Sequence, residues 1–105
     1  MENPVQLTHR FTEAVDYARH VHVELRKGTQ VPYMAHLFGV ASLVLGETGH
    51  VPFPVTEDMA IAALLHDAVE TSQVYPKFSQ QQKEFVEEEQ GSRAQKLLVL
   101  PRPAS

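Results

Sequence analysis

The stretch "AIAALLHDAVETS", Ala60 to Ser72, decides the fold. Its apolar and small residues read as a buried helix, yet it carries His66, Asp67 and Glu70. Each of these side chains is costly to bury without a partner. A metal ion supplies one kind of partner, and an ordinary hydrogen-bond network supplies another. The helix is predicted to open at Thr56, a good N-cap, with Glu57 and Asp58 in a first turn where the dipole favours negative charge. It is predicted to run to about Glu70, with Ala60, Ile61, Leu64 and Leu65 facing inward. Ala63 and Ala68 leave room for close neighbours.

Upstream, "GHVPFPV" holds two prolines and a glycine and reads as a loop. Before it, "YMAHLFGVASLVLGET" predicts a helix over about Tyr33 to Glu47, with Leu37, Val40, Ala41, Val44 and Leu45 as its buried stripe. "KGTQVP" breaks the chain ahead of that helix, Gly28 serving as a stop and Pro32 fitting a first turn. A first helix is predicted from about Thr8 to Arg26. Its inner face is Phe11, Ala14, Val15, Ala18 and His22, at helical spacing, with Thr8 as N-cap. Downstream, "SQQQKEFVEEEQ" opens with a capping-box pattern, Ser79 to Gln82. "SRAQKLLVL" suggests one more short helix, and "PRPAS" a frayed end. No segment shows convincing strand alternation, so the fold expected is all-α, with about four to five helices.

Composition narrows the function classes. The 105 residues are 43% apolar and 21% charged, ordinary for a soluble globular domain. No apolar run approaches the length of a membrane span, and "MENPVQLTHR" lacks the basic start and apolar stretch of a signal peptide. With no cysteine there is neither a disulfide frame nor a thiolate metal site, and the cytoplasm is the expected location. The net charge of −4 argues against wholesale attraction to nucleic acid. Residues 1–71 hold nine Asp/Glu, four Lys/Arg and all six histidines, whereas residues 72–105 hold four Glu and five Lys/Arg. The acidic, histidine-bearing part suits a cation better than an anion.

Each candidate side chain has a plain structural explanation beside the functional one. A helix-end histidine favoured by the dipole, with a solvated Asp67, accounts for the His66-Asp67 pair. Against it, the pair ends an apolar helix, and His36 lies in the apolar stripe of the preceding helix. Two antiparallel helices can bring these groups together, as ligands suited to manganese, iron, zinc or a similar divalent ion. His22, on the apolar face of the first helix, reads as a core or supporting group. His9, His20 and His50 read as surface positions. Glu70 lies three residues beyond Asp67, either as a solvated helix end or as a carboxylate beside a metal site that can take a proton. Arg26 and Lys27 end a helix, which the dipole alone explains; a cationic corner beside a metal also suits a phosphate-bearing substrate.

The segments "FTEAVDYARHVH", "RKGTQVPYMAHLFGVASLVL" and "AIAALLHDAVE" resemble the N-terminal half of HD-domain phosphohydrolases. The nearest branch is the RelA/SpoT-type hydrolases of the alarmone (p)ppGpp and their small stand-alone relatives. The order RKGT-x-x-PY-x-x-H, followed by an AALLHD helix, carries the resemblance over about Phe11 to Glu70. The resemblance implies an all-α helical bundle with His36, His66 and Asp67 as metal ligands. Arg26 and Lys27 match the basic corner that contacts the nucleotide, with Tyr33 in the same segment. Glu70 matches the first residue of a Glu-Asp pair that activates water. The implied cofactor is a divalent metal, manganese in the alarmone branch, with iron, zinc and magnesium as alternatives. The implied reaction is hydrolysis of a phosphate or pyrophosphate ester, like that of a guanosine-3',5'-bis(diphosphate) 3'-diphosphatase.

The sequence departs from that pattern in three places. The pair reads Glu70-Thr71, no Asp follows Ser72 where the family's last ligand belongs, and the His22–Arg26 spacing is one residue short. The domain expected is a single, partial one over 1–105. Its family-like part is about 9–72, with a divergent helical tail over 73–100 and a frayed end over 101–105. A shortened bundle should leave part of Leu37, Val44, Ile61 or Leu65 uncovered, hence an expected homo-oligomer. The partner expected is a small anionic nucleotide, with no nucleic acid and no membrane. The alternatives are a degenerate domain that binds metal or nucleotide without catalysis, and a truncated fragment that self-associates.

Overall fold

Helix α3, Glu57–Leu65, is the element that the others pack around. A computed structural model describes residues 4–66, 68 and 77–90. Among the described residues the other helices are α1, His9–Val21, α2, Tyr33–Gly46, and α4, Gln80–Glu88. The fold is all-α, and α3 packs against α1, α2 and α4.

The composition of α3 explains its place. Met59, Ala60, Ala62, Ala63 and Leu64 are all buried, so the helix is enclosed on most of its circumference. The three alanines let backbones approach and lose no side-chain entropy on burial. The inward face is therefore broader than the predicted stripe, and Ile61 and Leu65 are its partly buried members. Thr56 caps α3, its hydroxyl accepting the Met59 N–H at 3.3 Å. The helix ends at Leu65 with His66 as C-cap. The helix does not continue to Glu70 as expected: His66 and Ala68 lie in a turn, with the Ala68 N–H donating to Leu65 O at 2.9 Å, and residues 67, 69 and 70 lie outside the described residues.

The N-terminus of α3 is tied to its neighbours. The Thr8 backbone N–H and hydroxyl both donate to the Glu57 carboxylate. Arg10 donates to Asp58 at 2.6 Å, and Lys77 lies 3.5 Å from the same carboxylate. Partial burial works against the ionised Asp58, but the Arg10 hydrogen bond and charge, joined by Lys77, outweigh it and hold the group below the usual carboxylate range. Ser79 and Gln82 form the predicted capping box. The Gln82 amide also donates to Pro54 O at 3.0 Å, which pins α4 to the loop before α3.

The first helix is shorter than the expected Thr8–Arg26. Thr8 is its cap, as predicted, but it stops at Val21, and His22 takes the C-cap. The β-branched Val21 and Val23 fit a helix less well than an extended chain. The segment beyond folds back instead, with Leu25 bridging to Pro32. Ala14, Ala18 and His22 are buried and Phe11 and Val15 partly so, as the spacing predicted. Of the four residues among which an uncovered face was expected, Ile61 and Leu65 are only partly buried, whereas Leu37 and Val44 are fully buried, because α2 lies along the alanine-rich α3. The exposed large apolar side chains are elsewhere and include Tyr17, Val21, Val23, Leu25 and Phe38. The short helix expected over "SRAQKLLVL" and the "PRPAS" end lie outside the described residues.

Candidate metal centre

The turn between α1 and α2 is built by its own sequence. Gly28 adopts φ +77°, a left-handed conformation that suits glycine. Thr29 closes the turn: its N–H and hydroxyl donate to the Arg26 carbonyl at 2.9 and 2.8 Å, and its hydroxyl oxygen accepts the Val31 N–H at 3.0 Å. The Arg26 N–H donates to Val31 O at 2.7 Å, and the Tyr33 N–H to Glu24 O at 2.9 Å. This narrow hairpin returns Arg26 to the start of α2, where its guanidinium carbon lies 5.7 Å from the centre of the Tyr33 ring. That is cation–π distance. Lys27 is exposed on the hairpin.

From Tyr33 the aromatic contacts run inward. Tyr33 and His36 are one turn apart on α2 and meet edge-on, with centroids 5.6 Å apart. His36 is buried and meets His66, from the end of α3, at 5.8 Å with the ring planes inclined by 73°. The His66 Nδ1 lies 2.9 Å from the Ala63 carbonyl. A carbonyl only accepts, so Nδ1 carries the proton and the neutral ring keeps its lone pair on Nε2. A backbone bond that fixes the tautomer in this way is the usual support of a metal-binding histidine. The structure thus brings together four of the predicted residues, Arg26, Tyr33, His36 and His66. Asp67, Glu70 and Thr71 lie outside the described residues. Among the described residues no third histidine or carboxylate joins His36 and His66 in a metal-holding group.

His22 belongs to the same array. It is buried, stacks on Tyr33 with centroids 4.8 Å apart and planes 24° from parallel, and its Nδ1 lies 3.2 Å from the Glu24 carboxylate. The sequence reading placed His22 inside but overlooked Glu24. In a helix, residues two apart do not face each other. Only the early end of α1 lets Glu24 reach back. His9, His20 and His50 are exposed, as expected.

The HD-domain family model matches residues 14–99. This chain belongs to the HD-domain family. The match spans α1 to α4 and includes the His66-Asp67 dipeptide. No curated protein and no solved structure matches the chain. HD domains fall in a superfamily of metal-dependent phosphohydrolases and generally bind divalent metals. Of the chemistry such an ion needs, the described residues supply two imidazoles in ring contact, His36 and His66, one with its tautomer set by a backbone carbonyl. No helix among the described residues is long and apolar enough to cross a membrane.

Proposed function

We propose that this HD domain is a metal-dependent phosphohydrolase acting on (p)ppGpp or a related pyrophosphorylated nucleotide. The observation that carries the reading is the His36–His66 ring pair, with His66 fixed on Ala63 and the Arg26–Tyr33 corner one ring contact away. In this reading His36, His66 and Asp67 hold a divalent ion, manganese by resemblance to the alarmone branch. That ion, when bound, supplies Lewis-acid polarisation of phosphate and a water of lowered pKa. Arg26 holds the anionic substrate with its fixed fork of donors, and Tyr33 steadies the guanidinium from below. Lys27 adds a point charge at the rim. Glu70 takes the proton of the attacking water, while Thr71 can hydrogen-bond but cannot act as base at neutral pH. The nucleotide class is supported by the run RKGT-x-x-PY-x-x-H, which the structure folds into the Arg26–Tyr33–His36 series.

A second reading is favoured by one feature of the sequence. Thr71 stands where the resemblance calls for a carboxylate. A domain that keeps metal and nucleotide binding without turnover fits that loss. The chain is also proposed to self-associate through exposed apolar side chains around the end of α1. Pyrophosphate release from ppGpp with manganese present tests the enzyme reading. Turnover that requires manganese and falls in Arg26→Ala supports it; binding of metal and nucleotide without turnover replaces it with the second reading.

A further inference from the structure

Glu24, His22 and Tyr33 form a closed circuit. The Glu24 carboxylate lies 3.2 Å from the Nδ1 of His22, the His22 ring stacks on Tyr33, and the Tyr33 N–H returns to the Glu24 carbonyl at 2.9 Å. A carboxylate only accepts, so Nδ1 carries the proton. The Nε2 of His22 is buried with no hydrogen-bond partner among the described residues. An apolar ring would stack as well without burying that nitrogen. What histidine adds is the Nδ1 bond, which fixes the rotation of the ring and hence the plane against which Tyr33 lies. Tyr33 in turn bears the Arg26 guanidinium at 5.7 Å and touches His36 by its edge.

We propose that His22, held by Glu24, is a positioning residue that sets the Tyr33 ring and, through it, the Arg26 corner that takes the nucleotide. The inference rests on the proposed function for its ligand but not for its geometry. His22 meets neither His36 nor His66 in a ring contact among the described residues, so its loss should weaken nucleotide capture and leave metal binding intact.

The test uses the full chain with His22→Ala, His22→Phe and Glu24→Ala, and three readouts. These are the NMR shift of the Tyr33 ring protons, manganese content after dialysis, and ppGpp affinity. His22→Ala should move the Tyr33 signals toward those of free tyrosine and weaken ppGpp binding about tenfold, with manganese content equal to the parent. His22→Phe, which keeps a stacked ring but lacks the Nδ1 bond, should return the shift and the affinity only in part, with the Tyr33 signals broadened as in Glu24→Ala. Glu24→Ala should broaden the Tyr33 signals by freeing the His22 ring. Unchanged Tyr33 signals in His22→Ala overturn the inference, as does a fall in manganese content parallel to the loss of ppGpp binding. If the parent binds no ppGpp, the proposed function fails, and the Tyr33 signals alone then decide. Their displacement in His22→Ala with a partial, broadened return in His22→Phe supports the positioning role; their invariance, or a full and sharp return in His22→Phe, overturns it.

Discussion

His36 and His66 meet edge to face with ring centroids 5.8 Å apart, although thirty residues separate them in the chain. The contact is made by the packing of α2 along α3, and it depends on the small side chains of α3. The geometry of the candidate site is therefore coupled to the core.

That coupling predicts a stability cost at Ala62, which is fully buried. Ala62→Leu should overpack the space between α3 and its neighbours and destabilise the fold by about 1–3 kcal/mol. Leu64→Ala should cost about 2–5 kcal/mol by leaving a cavity. Urea unfolding measures both; an Ala62→Leu variant as stable as the parent contradicts the packing account.

Much of this was legible in the sequence, and the exceptions have physical causes. Thr8, Thr56 and Ser79 cap helices as predicted, because capping depends on a side chain and a backbone group two or three residues on. The end of α1 was misplaced, because apolar spacing carries through His22 while the bond between Glu24 and Tyr33 is set by a turn ten residues long. Of the residues expected to be partly uncovered, Ile61 and Leu65 are so, but Leu37 and Val44 are fully buried, because a helix as rich in alanine as α3 can be enclosed by few elements. His36 and His66 were paired by chemistry alone; the Ala63 bond that fixes one of them needs the folded backbone.

Asp58 gives the fold a pH dependence. Its folded-state value is depressed, so it contributes stability above the ordinary carboxylate value of about 3.9 and loses it as pH falls through the folded value. Asp58→Asn should therefore be less stable than the parent near neutral pH, and the two should converge as the pH is taken below about 4. Chemical denaturation across that range checks it; a gap that does not narrow contradicts the assignment of Arg10 as partner.

The surface offers a route to self-association. Tyr17 and Val21 are one turn apart on α1, and Val23 and Leu25 follow at alternate positions, with Val23 84% exposed. Exposed apolar clusters tend to be covered by partners, and closed dimers are the commonest outcome. Light scattering should give a dimer mass, and Val23→Asp with Leu25→Asp should give a monomer. A monomeric parent at high concentration removes this proposal.

Turnover should be limited at Glu70-Thr71. General-base contributions are on the order of 10²–10⁴-fold. Restoring a second carboxylate with Thr71→Asp should raise ppGpp turnover at least about tenfold, and Glu70→Ala should remove what remains. Equal inactivity of all three proteins, with metal and nucleotide still bound, makes the domain a binder and not an enzyme.

The most direct measurement is the manganese content of the parent and of His66→Ala after loading and dialysis. The paired imidazoles of His36 and His66, with Asp67 as the proposed third ligand, predict about one ion per chain in the parent and none in the variant. Equal content in the two proteins, or none in either, contradicts the metal centre and with it the proposed phosphohydrolase.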